Sequence, residues 1–387
     1  MRVGIIGHLL SFSPGYRQAG VSRYTEHLLQ WLPSVAPDLE FVVFAGRAAA
    51  SEVHDHRLPT SLSWALSRLP TEYPQARILW EQAAGPFALR RHQIDVVHGP
   101  VNVSPLLTRR PSVVTVHDLA FLIYPEQYPG AKQRYLNLLT RRSVERAEYV
   151  ISVSANTRAD VLRHYRVHPE RVIVIPNGVE PELEPVEGHG RIRALRERHR
   201  LPEQFILFVG TLQPRKNLVG LLRAYARLKE TLDWPLVVVG AKGWLYAPVF
   251  DEARALGIAD RVIFAGYADQ PTLRLWYSAA TIFVYPSLYE GFGLPVLEAM
   301  GCGTPVVTSA TSSLPEVAGD AALTIDPTDA GALAAALDRL IQDAALRSEL
   351  RQRGLARARQ FSWERTARET SDLYRQAACR AHPSRMA

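Results

Sequence analysis

Tyr289-Glu290-Gly291-Phe292-Gly293-Leu294-Pro295-Val296-Leu297-Glu298-Ala299-Met300-Gly301-Cys302-Gly303-Thr304-Pro305 is the stretch on which the reading of this chain turns. It follows a strand-like run, Thr281-Ile282-Phe283-Val284-Tyr285-Pro286, and leads into another, Pro305-Val306-Val307-Thr308. Between them the residues spell one short helix. Pro295 suits a first helical position, where its missing N–H costs nothing. Gly301 and Gly303 accept the left-handed conformation that closes a helix. The start of the helix aims backbone N–H groups into a glycine-rich turn, a favourable place for an anion. Glu290 and Glu298 bracket that turn. Taken alone, the stretch is equally a capped helix after a solvated loop.

Taken together, the Glu290-x7-Glu298 pattern and the glycines around it resemble the signature of retaining glycosyltransferases of the GT-B architecture, family 4 in particular. The resemblance implies an α/β fold with two Rossmann-like, doubly wound parallel-sheet domains facing a cleft. A C-terminal helix would cross back to the first domain.

The totals are compatible with that. At about 150 residues per domain, 387 residues suggest two or three domains. A composition 47% hydrophobic and 21% charged is that of a globular protein with ample core. The formal net charge of +7 favours anionic partners without choosing among them. Two cysteines, Cys302 and Cys379, form neither a CxxC pair nor a metal-type cluster, which fits a reducing cytoplasm. The apolar start, Val3-Gly4-Ile5-Ile6, is too short and glycine-broken for a signal peptide and reads as a buried strand. No apolar run approaches the roughly 18 residues of a membrane span. The expected location is cytoplasmic, with peripheral contact at the inner face of a membrane as an open alternative.

In chain order, a loop from Ser11 to Gly20 precedes a helix with Val21, Tyr24, Leu28, Leu29 and Leu32 on one face. Strand, glycine-bearing loop and helix is a phosphate-facing arrangement. The family carries Gly-Gly here and closes the loop over the donor diphosphate; this chain has Ala19-Gly20, so only Gly20 carries over. Strands are expected at residues 41–44, 94–98, 112–118, 149–154 and 172–175, alternating with helices as in a doubly wound sheet. His54-Asp55-His56 reads as a loop rather than a metal site. His117 and Asp118 end a strand, where open α/β sheets hold ligands. The resemblance makes His117 a hydrogen-bond donor to the donor sugar, with Asp118 as a secondary candidate that orients it. A helix after Gly130 carries Lys132, Arg134, Arg141, Arg142 and Arg146 among Tyr135, Leu138 and Leu139. It reads as an amphipathic helix packed on its domain, or as a membrane-facing one.

The Pro- and Glu-rich stretch from Glu180 to Gly190 reads as a linker. The divisions expected are 1–180 for the acceptor-side domain, 181–200 for the linker, 201–360 for the nucleotide-sugar domain and 361–380 for the crossing helix. The Arg-rich helix near 191–200 lacks an aromatic stacking platform, so nucleic acid is not expected as a partner. The second sheet opens with Phe205-Ile206-Leu207-Phe208-Val209-Gly210, followed by Thr211-Leu212-Gln213-Pro214-Arg215-Lys216-Asn217. Asn217 is placed to N-cap a helix with Leu218, Leu221, Leu222, Tyr225 and Leu228 on one face. Two cations thus sit at the C-terminal edge of a sheet, where an anion would be held.

The resemblance implies that Arg215 and Lys216 hold the nucleotide diphosphate, that Glu290 meets the transferred sugar, and that Glu298 meets the ribose hydroxyls. Gly210, Thr211, Gly266, Tyr267, Gly291, Phe292, Gly293 and Leu294 are further donor-binding candidates. No cofactor is implied, since the nucleotide-sugar is a substrate. No Asp-x-Asp motif of the metal-dependent kind is present, and the cations with the helix N-terminus would take a metal's place. The segments around His117 and Ser312 look like those of a mannosyltransferase-like subgroup, pointing to GDP-mannose, with a UDP-sugar as the alternative. The acceptor would be a glycan, a lipid-linked sugar or a small-molecule hydroxyl. Rival readings are an epimerase or phosphorylase on the same architecture, or a catalytically silent sugar-nucleotide-binding scaffold.

Overall fold

The computed structural model describes residues 1–11, 20–47, 58–186 and 188–381. The loop residues 12–19 and the His54-Asp55-His56 segment lie outside them. The chain divides into two units, Met1–Gly178 with the C-terminal helix (Trp363–Ala381), and Val179–Ser362.

The first unit is built on seven parallel strands: β1 (Arg2–Ile6), β2 (Glu40–Ala45), β3 (Ser63–Leu66), β4 (Val96–Gly99), β5 (Ser112–Val116), β6 (Tyr149–Ser152) and β7 (Val172–Val174). Their order across the sheet is β3-β2-β1-β4-β5-β6-β7. The central strands are unbroken apolar runs because helices cover both faces; Val3, Ile5, Val43, Val97, Val113 and Val114 are fully buried. The helix Val21–Val35 turns Tyr24, Leu28, Leu29 and Leu32 inward, the face its spacing predicts. The C-terminal helix packs against it. That helix buries Trp363, Ala367, Thr370, Tyr374 and Ala377, a 4-3-4-3 spacing that keeps one stripe on the unit. Its Trp363 ring stacks on His27 at 4.7 Å and Arg375 pairs with Asp38 at 2.7 Å.

Two features of this unit differ from expectation. β3 was not anticipated, because Ser63-Trp64-Ala65-Leu66 is an edge strand with neither face fully covered and no periodic signal. In the helix Gly130–Arg146 the packed residues are Leu136, Thr140, Ser143 and Val144, while Leu138 is 55% exposed. The buried stripe is therefore more polar than a hydrophobicity reading would choose.

The second unit carries β8 (Ile206–Val209), β9 (Leu236–Val239), β10 (Val262–Gly266), β11 (Ile282–Tyr285), β12 (Val306–Ser309) and β13 (Ala322–Ile325). All are parallel, in the order β10-β9-β8-β11-β12-β13. The stretch expected as a linker packs on this unit: Leu183 is buried, and Arg274 Nε donates to the Glu184 carbonyl at 2.9 Å. In a doubly wound sheet the connections leave neighbouring strands in opposite directions where the order reverses, opening a crevice at their carboxyl ends. Here that point lies between β8 and β11.

Candidate functional site

The loops that leave β8 and β11 at this crevice carry the residues singled out above. Beyond β8 the chain passes Gly210 and Thr211 and makes a 3₁₀ turn, Pro214–Lys216. Asn217 follows with φ +56°. It occupies the N-cap position of the helix Leu218–Ala226 but makes no capping hydrogen bond. Its amide donates instead to the carbonyls of Pro327 (2.7 Å) and Pro286 (3.1 Å). The expected cap is therefore a tether between the β8 and β11 loops, its carboxamide lying over Gly220 of the helix's first turn without accepting from it.

The tether brings Arg215 and Lys216 onto Glu290. Arg215 Nη1 donates to Glu290 Oε2 and to the Tyr289 carbonyl, both at 2.8 Å. Lys216 Nζ donates to Glu290 Oε1 at 2.5 Å and to the Tyr285 hydroxyl. The same Oε1 accepts from Ser287 Oγ (2.6 Å) and Tyr285 Oη (3.0 Å). Burial alone would raise the Glu290 pKa, but the charges of Arg215 and Lys216 and these hydrogen bonds outweigh it and hold it at about 2. The carboxylate is ionised and is shared by the two cations in a largely buried cluster.

Gly291 and Phe292 continue the turn, and Gly293 has φ +109°. A Cβ there would come within 2.6 Å of Leu314 Cδ2, so only glycine fits. Gly293 caps the helix Leu294–Gly301, which starts one residue before the expected Pro295. Gly301 is its last helical residue rather than its stop. It is glycine because a Cβ would approach the Leu183 carbonyl to 2.6 Å; Gly303, at φ +75°, makes the turn out. Two serines pin the turn from outside. Ser312 Oγ accepts from the Glu290 N–H (3.0 Å), and Ser313 Oγ donates to the carbonyls of Glu290 and Phe292 (2.9 and 2.8 Å).

Glu298 lies inside the helix, 2% exposed, and its Oε2 accepts from the Tyr277 hydroxyl at 2.8 Å. Gly266 ends β10 and Tyr267 follows it, two strands from β8. Gly266 has φ +77° with open space around it, and Tyr267 is 42% exposed. Gly210 has ordinary contacts only, so the fold does not itself demand glycine there.

In the first unit, Gly20 is the exposed N-cap of the helix Val21–Val35, with φ +49°. His117 follows β5. Its Nε2–H donates to the Pro100 carbonyl at 2.8 Å, its backbone N–H to Asn102 Oδ1 at 3.1 Å, and Tyr24 meets its ring edge-on at 4.7 Å. Burial lowers its pKa. A neutral imidazole has one N–H, and here Pro100 takes it. The expected role as sugar hydrogen-bond donor is thereby reversed: Nδ1 is an acceptor. Asp118 Oδ1 accepts from the Ala120 N–H at 3.1 Å and starts the following turn, while its charge partly offsets the effect of burial on His117.

The structure thus gathers Arg215, Lys216 and Glu290 directly, and sets Gly291, Phe292, Gly293 and Leu294 beside them. Tyr285, Ser287, Ser312 and Ser313 complete the cluster and were not among the sequence candidates. Among the described residues no group of three or more His, Cys, Asp or Glu is placed to hold a metal, and no helix is long and apolar enough to cross a membrane.

Residues 192–359 match the family described as Glycosyl transferases group 1, and residues 19–183 match Glycosyltransferase Family 4. O-antigen chain mannosyltransferase B of Escherichia coli is 32% identical over 370 residues, 93% of this chain and 97% of that protein. The MMP alpha-(1->4)-mannosyltransferase of Mycolicibacterium hassiacum is 30% identical over 327 residues, covering 80% of this chain and 77% of that one. Among solved structures, a sucrose-phosphate synthase from Thermosynechococcus elongatus superposes with TM-score 0.77 at 24% identity, over 97% of this chain and 98% of that one. WaaG, a glycosyltransferase involved in lipopolysaccharide biosynthesis, gives TM-score 0.75 at 20% identity, over 97% and 99%. These last two likenesses carry the fold.

Proposed function

The chain belongs to the group 1 glycosyl transferases, family 4, and from this premise we propose that it moves a hexose from a nucleotide-sugar to a hydroxyl acceptor, with retention and without a metal. The observation that carries the reading is the pairing of Arg215 and Lys216 with Glu290 at the β8/β11 crevice. The donor's diphosphate lies against the two cations. As the bond between the anomeric carbon and the phosphate oxygen breaks, charge grows on the β-phosphate, and donors already in place stabilise it without reorganisation. The acceptor oxygen bonds to the anomeric carbon on the face the phosphate leaves. Its proton passes to the departing phosphate oxygen, so the step needs no separate base.

Glu290 serves the transferred sugar and keeps Arg215 and Lys216 apart and ionised before the donor arrives. Glu298 takes the ribose hydroxyls, and Gly266 with Tyr267 borders the base. His117 accepts from a sugar hydroxyl through Nδ1, and Gly20 is a further donor-binding residue. The mannosyltransferase relatives favour GDP-mannose as donor, and the O-antigen relative favours a polysaccharide or lipid-linked acceptor.

Calorimetric titration with GDP-mannose, UDP-glucose, UDP-GlcNAc and ADP-glucose in EDTA tests the donor. We expect saturable binding of GDP-mannose, and Lys216→Ala to weaken it at least tenfold, about 1.4 kcal/mol. Binding of a UDP-sugar instead would overturn the donor assignment. Folded protein that binds none of the four would overturn the transferase reading.

A further inference from the structure

We propose that Glu81, with Arg77 and His8, binds hydroxyl groups of the acceptor sugar. The inference rests on the transferase reading and names a place for the acceptor within the first unit. In that unit's sheet the strand order reverses between β1 and β4, so its crevice opens at their carboxyl ends. His8 lies two residues beyond β1. The helix Pro74–Leu79 meanwhile runs into a π-helical turn, Trp80–Ala84. Such turns interrupt helices frequently at functional sites. Gln82 ties this one to the chain leaving β4: its amide donates to the Ser104 carbonyl at 3.4 Å, and its carbonyl accepts from the Leu106 N–H at 3.1 Å. His8 meets the Trp80 ring edge-on at 4.1 Å. Glu81 stands between Trp80 and Gln82 and so belongs to this crevice.

The polar groups gathered here do not satisfy one another. Glu81 is 5% exposed, yet Arg77 Nε stays 3.8 Å from its Oε1 and Tyr135 Oη donates to its Oε2 only at 3.5 Å. A charge-assisted hydrogen bond is normally well under 3 Å. His8 is buried as well; its Nδ1 meets Thr71 Oγ1 at 3.0 Å, and its Nε2 has no partner among the described residues. Burial, then the charge of Arg77, lower its pKa to about 3, so the ring is neutral and Nε2 is a spare donor or acceptor in either tautomer. Burial raises the Glu81 pKa to about 7, against the charge of Arg77 and the Tyr135 hydroxyl. A buried carboxylate that costs stability when ionised is not kept for the sake of the fold. Two neighbouring hydroxyls of a sugar ring supply what is missing. Each O–H donates to one oxygen of Glu81, and their lone pairs accept from the Arg77 guanidinium. Nε2 of His8 takes a further hydroxyl.

Calorimetry with two probes tests this: methyl α-D-mannoside titrated with GDP present, and GDP-mannose titrated alone. In Glu81→Gln the mannoside affinity should fall about tenfold or more, the loss of hydrogen bonds to a charged group. GDP-mannose affinity should stay within about twofold, whereas a merely structural role would move both or neither. The wild type gives a second readout, which decides the matter should Glu81→Gln fail to fold. Hydroxyl donors favour the ionised carboxylate, so binding lowers the Glu81 pKa and affinity rises with pH. Of the groups facing Glu81, Arg77 remains a cation and His8 neutral, and burial followed by the charge of Glu81 keeps the proton on Tyr135. With a pKa of about 7, the ionised fraction grows from about one-tenth at pH 6 to about nine-tenths at pH 8. Mannoside affinity should rise at least about threefold across that window, and GDP-mannose affinity should not. A flat mannoside profile, or full affinity in Glu81→Gln, would overturn the proposal. A wild type that binds GDP-mannose but no mannoside would remove this inference alone. Binding of the mannoside without any nucleotide-sugar would instead remove the transferase reading and keep the sugar site.

Discussion

Three donors converge on Glu290 Oε1 and a fourth group, Arg215, on Oε2, which makes the carboxylate a fixture of the fold as well as of the site. Its folded pKa of about 2 lies below the unfolded value near 4.5. Its contribution to stability is therefore complete above pH 4.5 and is lost as pH falls toward 2. Glu290→Gln should flatten the acid limb of a Tm-versus-pH curve in that window. Glu81 behaves oppositely. Burial raises its pKa to about 7 against the opposing charge of Arg77, so ionising it destabilises the fold as pH rises through 7. Glu81→Gln should raise Tm at pH 8 and leave it nearly unchanged at pH 5; a larger gain at pH 5 would contradict this sign. Arg215, Lys216 and Glu290 were singled out because the stretches that carry them resemble a family signature; by themselves, charged residues in glycine- and proline-rich loops read equally as solvated surface. Tyr285 was not, since Phe283-Val284-Tyr285 is indistinguishable from a core strand until the hydroxyl's neighbours are known. Nor could spacing reveal that Pro100, over a dozen residues earlier, takes the His117 proton.

At the scale of elements, the parallel strands of the two sheets and most helices follow from apolar runs and periodicity. The failures occur where that signal is weak: the edge strand β3, and the Thr140-Ser143 stripe of the Gly130–Arg146 helix. Helix boundaries near the site moved for steric reasons that only the packed structure contains. The two turn glycines, Gly293 and Gly266, allow a direct comparison. Gly293→Ala combines a positive φ with a collision on Leu314, and should cost about 2–4 kcal/mol in urea unfolding. Gly266→Ala has the positive φ alone and should cost about 1 kcal/mol. Equal costs would show that Leu314 yields freely.

For the whole molecule, the two parallel sheets with helices on them are the GT-B fold, and the first unit carries exposed apolar side chains near arginines. Phe87 (78% exposed), Leu107 (71%) and Leu138 (55%) project from neighbouring segments. Tyr135 Oη donates to Glu81 Oε2 at 3.5 Å, and the Gln82 carboxamide accepts from the Leu106 N–H at 3.1 Å. Arg90, Arg91, Arg109 and Arg142 stand in the same segments. Apolar tips among arginines are complementary to an anionic bilayer, and we propose peripheral contact there. The protein should float with phosphatidylglycerol vesicles and not with phosphatidylcholine ones, and high salt or Phe87→Asp should release it. Equal flotation with both lipids would remove the charge argument.

The return of the last helix to the first unit has a consequence for how the protein is made. A ribosome delivers residues 1–178 long before residues 363–381, so the first unit emerges without the helix that covers Tyr24, His27 and His98. The second unit is continuous and can complete itself as soon as it emerges, whereas the first must wait for the helix that follows the second. A chain that stops before Trp363 would therefore leave the ribosome with its first unit unfinished, a defect that proteases reading exposed apolar surface would find in that unit rather than in the second.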